Sequence, residues 1–417
     1  MKNLYTFFKK FWNKTATSPK SFSISKKLIR PKWNINTKLT MAKEYQRPGG
    51  IQDEAIKEYR SKVKTQKFKF KYLKCIHCKN NQYTEISQID RYLNYCPIVI
   101  CQKCGLIQTQ PMQTPESLSL FYSDIYTRMY RGKIFATSNF DSPSPLREKF
   151  IQRLKKSGVI EMLPPNPTII EAGCGNGGVM SAINKIVPGA KITGFDYDDN
   201  YMEHARSLGL DLRKGSYYED TSMSNVDMIY YHHVFEHIYD LENELENAYR
   251  ALKEDGILVL VVPGMFTIIS GRNGDVLDKF QNAHLYYFDL AILMSIVEKQ
   301  GFKLCYGTEG IFAVFKRTSL KLKPKIPKSD SLAKIPLHLR HNQRLLYLQA
   351  AEIIHDMQLD KQVKILLNYL FKNALILKNS EINLKKKLDS VYPKYSDYSE
   401  EAVSLFDEIS SNLMKKL

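Results

Sequence analysis

Between residues 168 and 317 the chain repeats one pattern: an apolar run of strand length, then a stretch with helical spacing of its apolar residues. The strand candidates are 168–172, 191–196, 211–215, 226–231, 257–263, 302–309 and 311–316. Strands that alternate with helices predict a mainly parallel sheet, because a parallel pair needs a long crossover, usually a helix. The last two candidates depart from this. They are separated only by Glu309-Gly310, a tight turn, and so predict an antiparallel hairpin. The longest apolar stretch, 256–263, has the length of one buried strand, and no run of 18 apolar residues suggests a membrane-spanning helix.

At 417 residues the chain has room for two or three domains, and its seven cysteines are too few for a disulfide-stapled secreted scaffold. The net charge of +18 points to nucleic acid only until it is divided. Residues 1–74 hold 20 Lys/Arg and 4 Asp/Glu, and residues 316–417 hold 19 and 11. The middle, 75–315, has 22 basic and 28 acidic residues, so any chemistry there is not wrapped in a basic field.

The first 43 residues contain no acid. Leu4, Phe7, Phe8, Phe11 and Trp12 fall at helical spacing among lysines, a pattern that suits an anionic membrane surface. The same composition is read alternatively as an organelle targeting segment, or as a disordered extension ahead of Met41. Residues 144–158 read as an amphipathic helix, 321–327 as a Lys/Pro linker and 338–417 as three helices that offer a surface to a protein partner.

Cys75-Ile-His-Cys78 and Cys101-Gln-Lys-Cys104 are two knuckles with 22 residues between them. Each places two thiolates on one side of a tight turn, and two such turns complete the closed four-sulfur shell that structural zinc requires. Cys75, Cys78, Cys101 and Cys104 are therefore the expected metal ligands; the alternatives are free thiols or a redox role. Gly105 eases the second turn, Cys96 reads as a packed thiol, and His77 is expected to be exposed.

Ile169-Ile-Glu171-Ala-Gly173-Cys-Gly175-Asn-Gly177-Gly178 follows an apolar strand and opens a helix. Glycines allow the sharp turn and the close approach of backbone to a ligand. Asp196 ends the next strand, 23 residues after Gly173, where a carboxylate accepts ribose hydroxyls. An adenosine-containing cofactor is expected, with NAD and S-adenosylmethionine not separated by these residues alone.

The ordered set of motifs separates them. Glu171-x-Gly173-x-Gly175-x-Gly177, then Thr193-Gly-Phe-Asp196, then Val226 through Glu236-His237, then Tyr249 through Pro263, then His284-Leu-Tyr-Tyr-Phe288 and Gln300-Gly-Phe302 resemble the class I S-adenosylmethionine-dependent methyltransferases. The four-Cys segment with Glu116 and Phe121-Tyr122 resembles the zinc-binding front of sugar and small-molecule methyltransferases of glycan and antibiotic pathways. The resemblance implies a Rossmann-like methyltransferase fold with a mainly parallel seven-stranded sheet, an N-terminal zinc ribbon and a C-terminal helical extension. It implies a basic arm over 1–50, the zinc module over 51–137, the cofactor-binding domain over 138–320 and a linker with helices over 321–417. Its cofactors are S-adenosylmethionine and a structural zinc ion. Glu171, Gly173, Gly175, Asn176 and Gly177 line the methionine end, Asp196 holds the ribose and Tyr197 flanks adenine. Where the family often has an acid after the third strand, this chain has Gly215-Ser216-Tyr217, so Ser216 or a backbone carbonyl must substitute.

Methylation of a hydroxyl needs a base, because the acceptor's pKa is high. His232, His233, Glu236, His237 and His284 are candidates, with His233 and His237 placed four apart as if on one helical face. His284, His233 and His237 form the expected catalytic set, and the Tyr-rich segment after His284 is expected to fold over the cofactor cleft. The carbon-methylating relatives have a Tyr-x-Glu-His run where this chain has Gln281-Asn-Ala-His284, so O- or N-methylation of a sugar or related polar acceptor is favoured. The expected location is cytoplasmic, peripheral at a membrane if residues 1–40 bind one. An RNA methyltransferase and a non-catalytic adaptor are the competing readings; the acidic middle and Tyr231-His-His, in place of an Asn/Asp-Pro-Pro loop, weigh against RNA.

Overall fold

The strands in chain order are β1 (Ser23–Ser25), β2 (Phe70–Lys71), β3 (Gln82–Ile89), β4 (Tyr95–Cys101), β5 (Ile107–Thr109), β6 (Met112–Gln113) and β7 (Thr168–Ala172). There follow β8 (Lys191–Asp196), β9 (Asp211–Lys214), β10 (Val226–His232), β11 (Leu252–Val261), β12 (Tyr286–Tyr287), β13 (Phe302–Gly307) and β14 (Phe312–Arg317). The structure, a computed structural model, describes residues 23–25, 50–130, 145–319 apart from 208, 268–275, 277 and 278, 346–377 apart from 352, 355, 356 and 358, and 384–414. The stripe from Leu4 to Trp12, Met41 and the linker 321–327 lie outside the described residues. The described residues fall into two units, one drawn from 1–121, 266–287 and 327–417, the other from 122–265 and 288–326.

The second unit is built on a seven-stranded sheet in the order β13-β14-β11-β10-β7-β8-β9. Strands β7 to β11 pair in parallel, whereas β14 runs antiparallel to both β11 and β13. This is the Rossmann-like methyltransferase fold, with a mixed, mostly parallel sheet. The expected strands 168–172 and 191–196 coincide with β7 and β8, whose buried, largely apolar centres mark them in the sequence. Strand β11 differs from its expected span. It starts at Leu252, which pairs with Val226 across a register shift, and ends at Val261. Asp227 ties the starts of three strands together, accepting from the Thr168 N–H at 2.8 Å and from Lys253 Nζ at 2.8 Å.

The chain leaves β7 toward β8 and β9 on one side and returns to β10 and β11 on the other. The carboxyl ends of β7 and β10 therefore flank a topological switch point, where open α/β sheets bind ligands. Beneath it lies a core that includes Phe150 and Leu154 of the helix Pro145–Lys156, Met180 and Ile183 of the helix Gly178–Asn184, and Ile169, Tyr230, Val259 and Phe312 of the sheet.

The first unit has a five-stranded sheet, β1-β3-β4-β5-β12, and a two-stranded ribbon of β2 and β6. All pairs of the larger sheet are antiparallel except β1 with β3. The helix Ile51–Lys64 buries Ala55, Ile56, Tyr59 and Val63, and Tyr59 packs its ring on Phe68 and Phe121. Further helices run over Lys361–Leu377, Leu384–Val391 and Ser399–Met414, with Phe371 of the first against Phe406 of the last. Two features were not expected. A strand forms at Ser23–Ser25 within the basic arm, and the Tyr286–Tyr287 segment, expected over the cofactor cleft, is an edge strand of this sheet, paired with Gln108 and Ile107.

Candidate active site and candidate metal centre

In the second unit the chain turns sharply after β7. Gly173, Gly175 and Gly177 all have positive φ, at 70°, 52° and 70°. The Gly173 and Cys174 N–H groups both donate to the Phe195 carbonyl, which curls the loop against the end of β8. A Cβ on Gly173 would stand 2.3 Å from Val234 Cγ2, in the loop after β10. Glycine is thus required there by both conformation and space. Asn176 Oδ1 accepts from the Gly178 N–H at the start of the next helix.

Asp196 ends β8 with both carboxylate oxygens fixed by backbone. Oδ2 accepts from the Gly175 N–H at 2.8 Å and Oδ1 from the Asp198 N–H at 3.1 Å. Each oxygen keeps acceptor capacity for a further donor. Tyr197 is 64% exposed, and its hydroxyl lies 2.6 Å from Ser216 Oγ. Three residues beyond Ser216, Glu219 folds back to cap the short 3-10 turn: its Oε2 accepts from the Ser216 N–H at 3.1 Å. Sequence order hid this residue, although Ser-x-x-Glu is a helix-start signal.

Glu171, one residue before the end of β7, is only 2% exposed. Tyr230, its cross-strand neighbour on β10, donates to Oε2 at 2.7 Å. Burial pushes the Glu171 carboxyl up to about 8, helped by the Asp196 charge and opposed by the Tyr230 hydrogen bond. The sequence did not disclose this partner of Glu171; Tyr230 reads as one more apolar residue of a buried strand.

After β10 the chain makes a short 3-10 turn, Phe235–His237, preceded by His233 at φ 58°. His233 and His237 therefore do not share an α-helical face, contrary to their i, i+4 spacing, because the left-handed residue and the short turn break the helix. Instead they flank one carboxylate. His233 Nδ1 is 3.5 Å and His237 Nε2 3.8 Å from Glu236 Oε1, which is buried. His233 keeps 45% of its side chain exposed. The opposite nitrogen of His237 pairs with the Tyr122 hydroxyl at 2.9 Å. Tyr122, Tyr126 and Tyr130 pack in series as tilted rings, with centroids 4.9 and 5.3 Å apart, and Thr127 reaches Asp198 at 3.3 Å. That short helical stretch thus bridges the ends of β10 and β8 on either side of the glycine loop. His232 is turned inward onto Phe150, and burial lowers it to about 3.

His284 belongs to the first unit, where it is buried beside the Gln281 amide, 3.1 Å from Nδ1, and near the Tyr287 ring. The four cysteines also lie in this unit. Their sulfurs all fall within 4.8 Å of one another, with Cys75···Cys104 and Cys78···Cys101 at 3.5 Å. A tetrahedral Zn–S shell at about 2.3 Å places its sulfurs about 3.8 Å apart, so the donor set fits the ion. Positive φ at Lys79 and Gly105 follows each knuckle, and the Lys79 and Gly105 N–H groups bond back to Cys75 and Cys101. His77 is buried, not exposed as expected. Cys96 is buried as a packed thiol.

Residues 145–306 match the family model described as a methyltransferase domain. The chain is 28% identical over 147 residues to a protein of Mycolicibacterium smegmatis named "Probable S-adenosylmethionine-dependent methyltransferase". That match covers 34% of this chain and 54% of the relative, so the chain spans about half the relative's length. Among solved structures, a TehB-like SAM-dependent methyltransferase from Corynebacterium glutamicum is similar at 20% identity and a TM-score of 0.29, over 42% of this chain and 98% of that one. An S-adenosylmethionine dependent methyltransferase from Mesorhizobium loti is similar at 14% identity and a TM-score of 0.33, over 43% of this chain and all of that one. The stretch matched by the methyltransferase-domain model carries the glycine loop, Asp196 and the turn after β10. Among the described residues no helix is long and apolar enough to cross a membrane.

Proposed function

We propose that this chain transfers a methyl group from S-adenosylmethionine to a hydroxyl or amine of a sugar or related small polar acceptor. One observation carries the reading: at the switch point of the sheet, Glu171, the loop 173–178 and Asp196 line up on two adjacent strand ends, β7 and β8. The fit is chemical. Asp196 offers acceptors to ribose hydroxyls, Glu171 offers a carboxylate to an amino group, and a glycine-rich loop lies between them. Tyr197 and Tyr218, both exposed, flank Ser216 at the place for an adenine ring.

When bound, S-adenosylmethionine supplies an electrophilic methyl, so the chain's own work is alignment and proton removal. The acceptor oxygen or nitrogen forms the new bond to carbon, the sulfur–carbon bond breaks, and the acceptor's proton passes to a histidine. His233 is the base assigned here, since 45% of its side chain is exposed and its Nδ1 lies 3.5 Å from the buried Glu236 carboxylate. His237 is held by Tyr122 and acts by positioning. His284, a residue of the first unit, is paired with an amide rather than a carboxylate. In this organisation 51–137 is a zinc-binding module, 138–320 the cofactor domain, and the arm 1–40 a peripheral contact with an anionic membrane.

Untargeted metabolite profiling of a deletion strain tests the acceptor class. The expected result is loss of one polar metabolite and gain of a species lighter by one methyl. Purified chain with methyl-labelled cofactor should label that lighter species; label that enters only RNA overturns the proposal.

A further inference from the structure

We infer that Tyr230 is a positioning residue for Glu171, and that the pair couples binding of the S-adenosyl cofactor to release of one proton. The inference rests on reading the loop 173–178 as the cofactor site. Both side chains are buried, and the phenol donates to Oε2 at 2.7 Å across neighbouring parallel strands. The ring is itself fixed against Phe150, with centroids 6.0 Å apart. Burial first, then the adjacent carboxylate, keeps the phenol protonated, so it remains a donor across the working pH range.

Every element around the carboxyl contributes a group. Tyr230 comes from β10, Asp196 from β8, Cys174 from the glycine loop, the Met180 N–H from the helix Gly178–Asn184 and Arg147 from the helix Pro145–Lys156. The sum leaves Glu171 near 8, so at pH 7 it is mostly the neutral acid in the free protein. A cofactor ammonium needs the carboxylate. Binding therefore forms an ammonium–carboxylate pair and sends the Glu171 proton to solvent. The sign follows by linkage: affinity rises with pH up to about 8 and levels off once the acid is already ionised. Tyr230 sets where that plateau begins, because its hydrogen bond favours the charged form.

Calorimetry with S-adenosylhomocysteine across pH 6 to 9, in buffers of different ionisation enthalpy, tests this on the full chain. Wild type should release close to one proton at pH 7 and gain affinity by about tenfold per pH unit below the plateau. Tyr230→Phe keeps the ring but loses the donor. It should weaken binding about tenfold at pH 7 and only about twofold at pH 9, since a charge-assisted hydrogen bond is worth about one pKa unit. A merely structural role would weaken binding equally at every pH. Glu171→Gln should bind with no proton release. Binding by the wild type that is independent of pH and buffer overturns the inference and leaves the cofactor reading standing. No binding at any pH overturns both.

Discussion

The four-sulfur cluster and the glycine-loop site are written into the chain in opposite ways. The cluster takes its donors from two local turns, Cys75 to Cys78 and Cys101 to Cys104, each closed by its own backbone hydrogen bond and its own left-handed residue. Spacing alone therefore brings each pair of thiols together, and only the meeting of the two turns depends on the sheet. The glycine-loop site takes its groups from strand ends: Glu171 from β7, Asp196 from β8, and Tyr230 and the His233–His237 turn from β10 and beyond. There, the order of strands does the assembling. A cluster of the first kind gains or loses a metal as a unit, whereas a site of the second kind loses its contacts one at a time.

The largest expected effect breaks the first kind. Cys101→Ser should empty the proposed zinc site completely, measured by elemental analysis of purified protein, where wild type should hold a single zinc. Structural zinc in small modules contributes on the order of 10 kcal/mol, so protease resistance of residues 50–121 should collapse with it. His237→Ala should keep the metal. Zinc fully retained by Cys101→Ser contradicts the assignment.

The same contrast explains what could be read from sequence. Strands β7 and β8 are legible to the residue because Pro or Gly bounds each on its amino side and their centres are buried and largely apolar, with Glu171 and Asp196 confined to the carboxyl ends. Strand β11 is not, since its first turn, Lys253-Glu254-Asp255, is exposed and its start is fixed by pairing with Val226. The cysteines and glycines are conspicuous by spacing. Tyr230 and Glu219 are not, because one depends on register across β7 and β10 and the other on a carboxylate folding back over Ser216. The spacing of His233 and His237 misleads, as a helical period was assumed where a left-handed residue interrupts the chain. His284 looks continuous with the methyltransferase motifs in sequence, yet it is part of the first unit.

An intermediate effect is expected at a single strand-end group. Asp196→Ala removes one carboxylate from the site and frees the Gly175 and Asp198 N–H groups that it holds. Loss of a hydrogen-bonding partner at this half-buried position costs about 1–3 kcal/mol, which is about fivefold to 150-fold in S-adenosylhomocysteine affinity. Calorimetry reads this directly. Unlike the cysteine substitution, the variant should stay folded and keep zinc. Unchanged affinity would show that Asp196 does not meet the ribose.

The smallest effect on either unit should come from removing the basic arm. A chain that starts at Met41 lacks β1, whose three residues pair in parallel with Gln82, Tyr83 and Thr84 at the edge of the first sheet. An edge strand of that length contributes a few backbone hydrogen bonds, each worth about 1 kcal/mol net, so the melting temperature should fall by only a few degrees. Zinc content and S-adenosylhomocysteine affinity should not change. What should change is membrane association. The arm holds lysines among Leu4, Phe7, Phe8, Phe11 and Trp12 and no acid before Glu44. Each lysine near an anionic leaflet adds about 1 kcal/mol of attraction, and salt screens it within a Debye length of about 10 Å at 0.1 M. The full chain should float with vesicles that contain anionic lipid at low salt and sink as salt rises, while the shortened chain sinks in both. If neither floats, the arm is no membrane contact. If the shortened chain also loses zinc, β1 is a structural part of the four-sulfur sheet, and the separation drawn between a local cluster and an assembled site must be redrawn to include the arm.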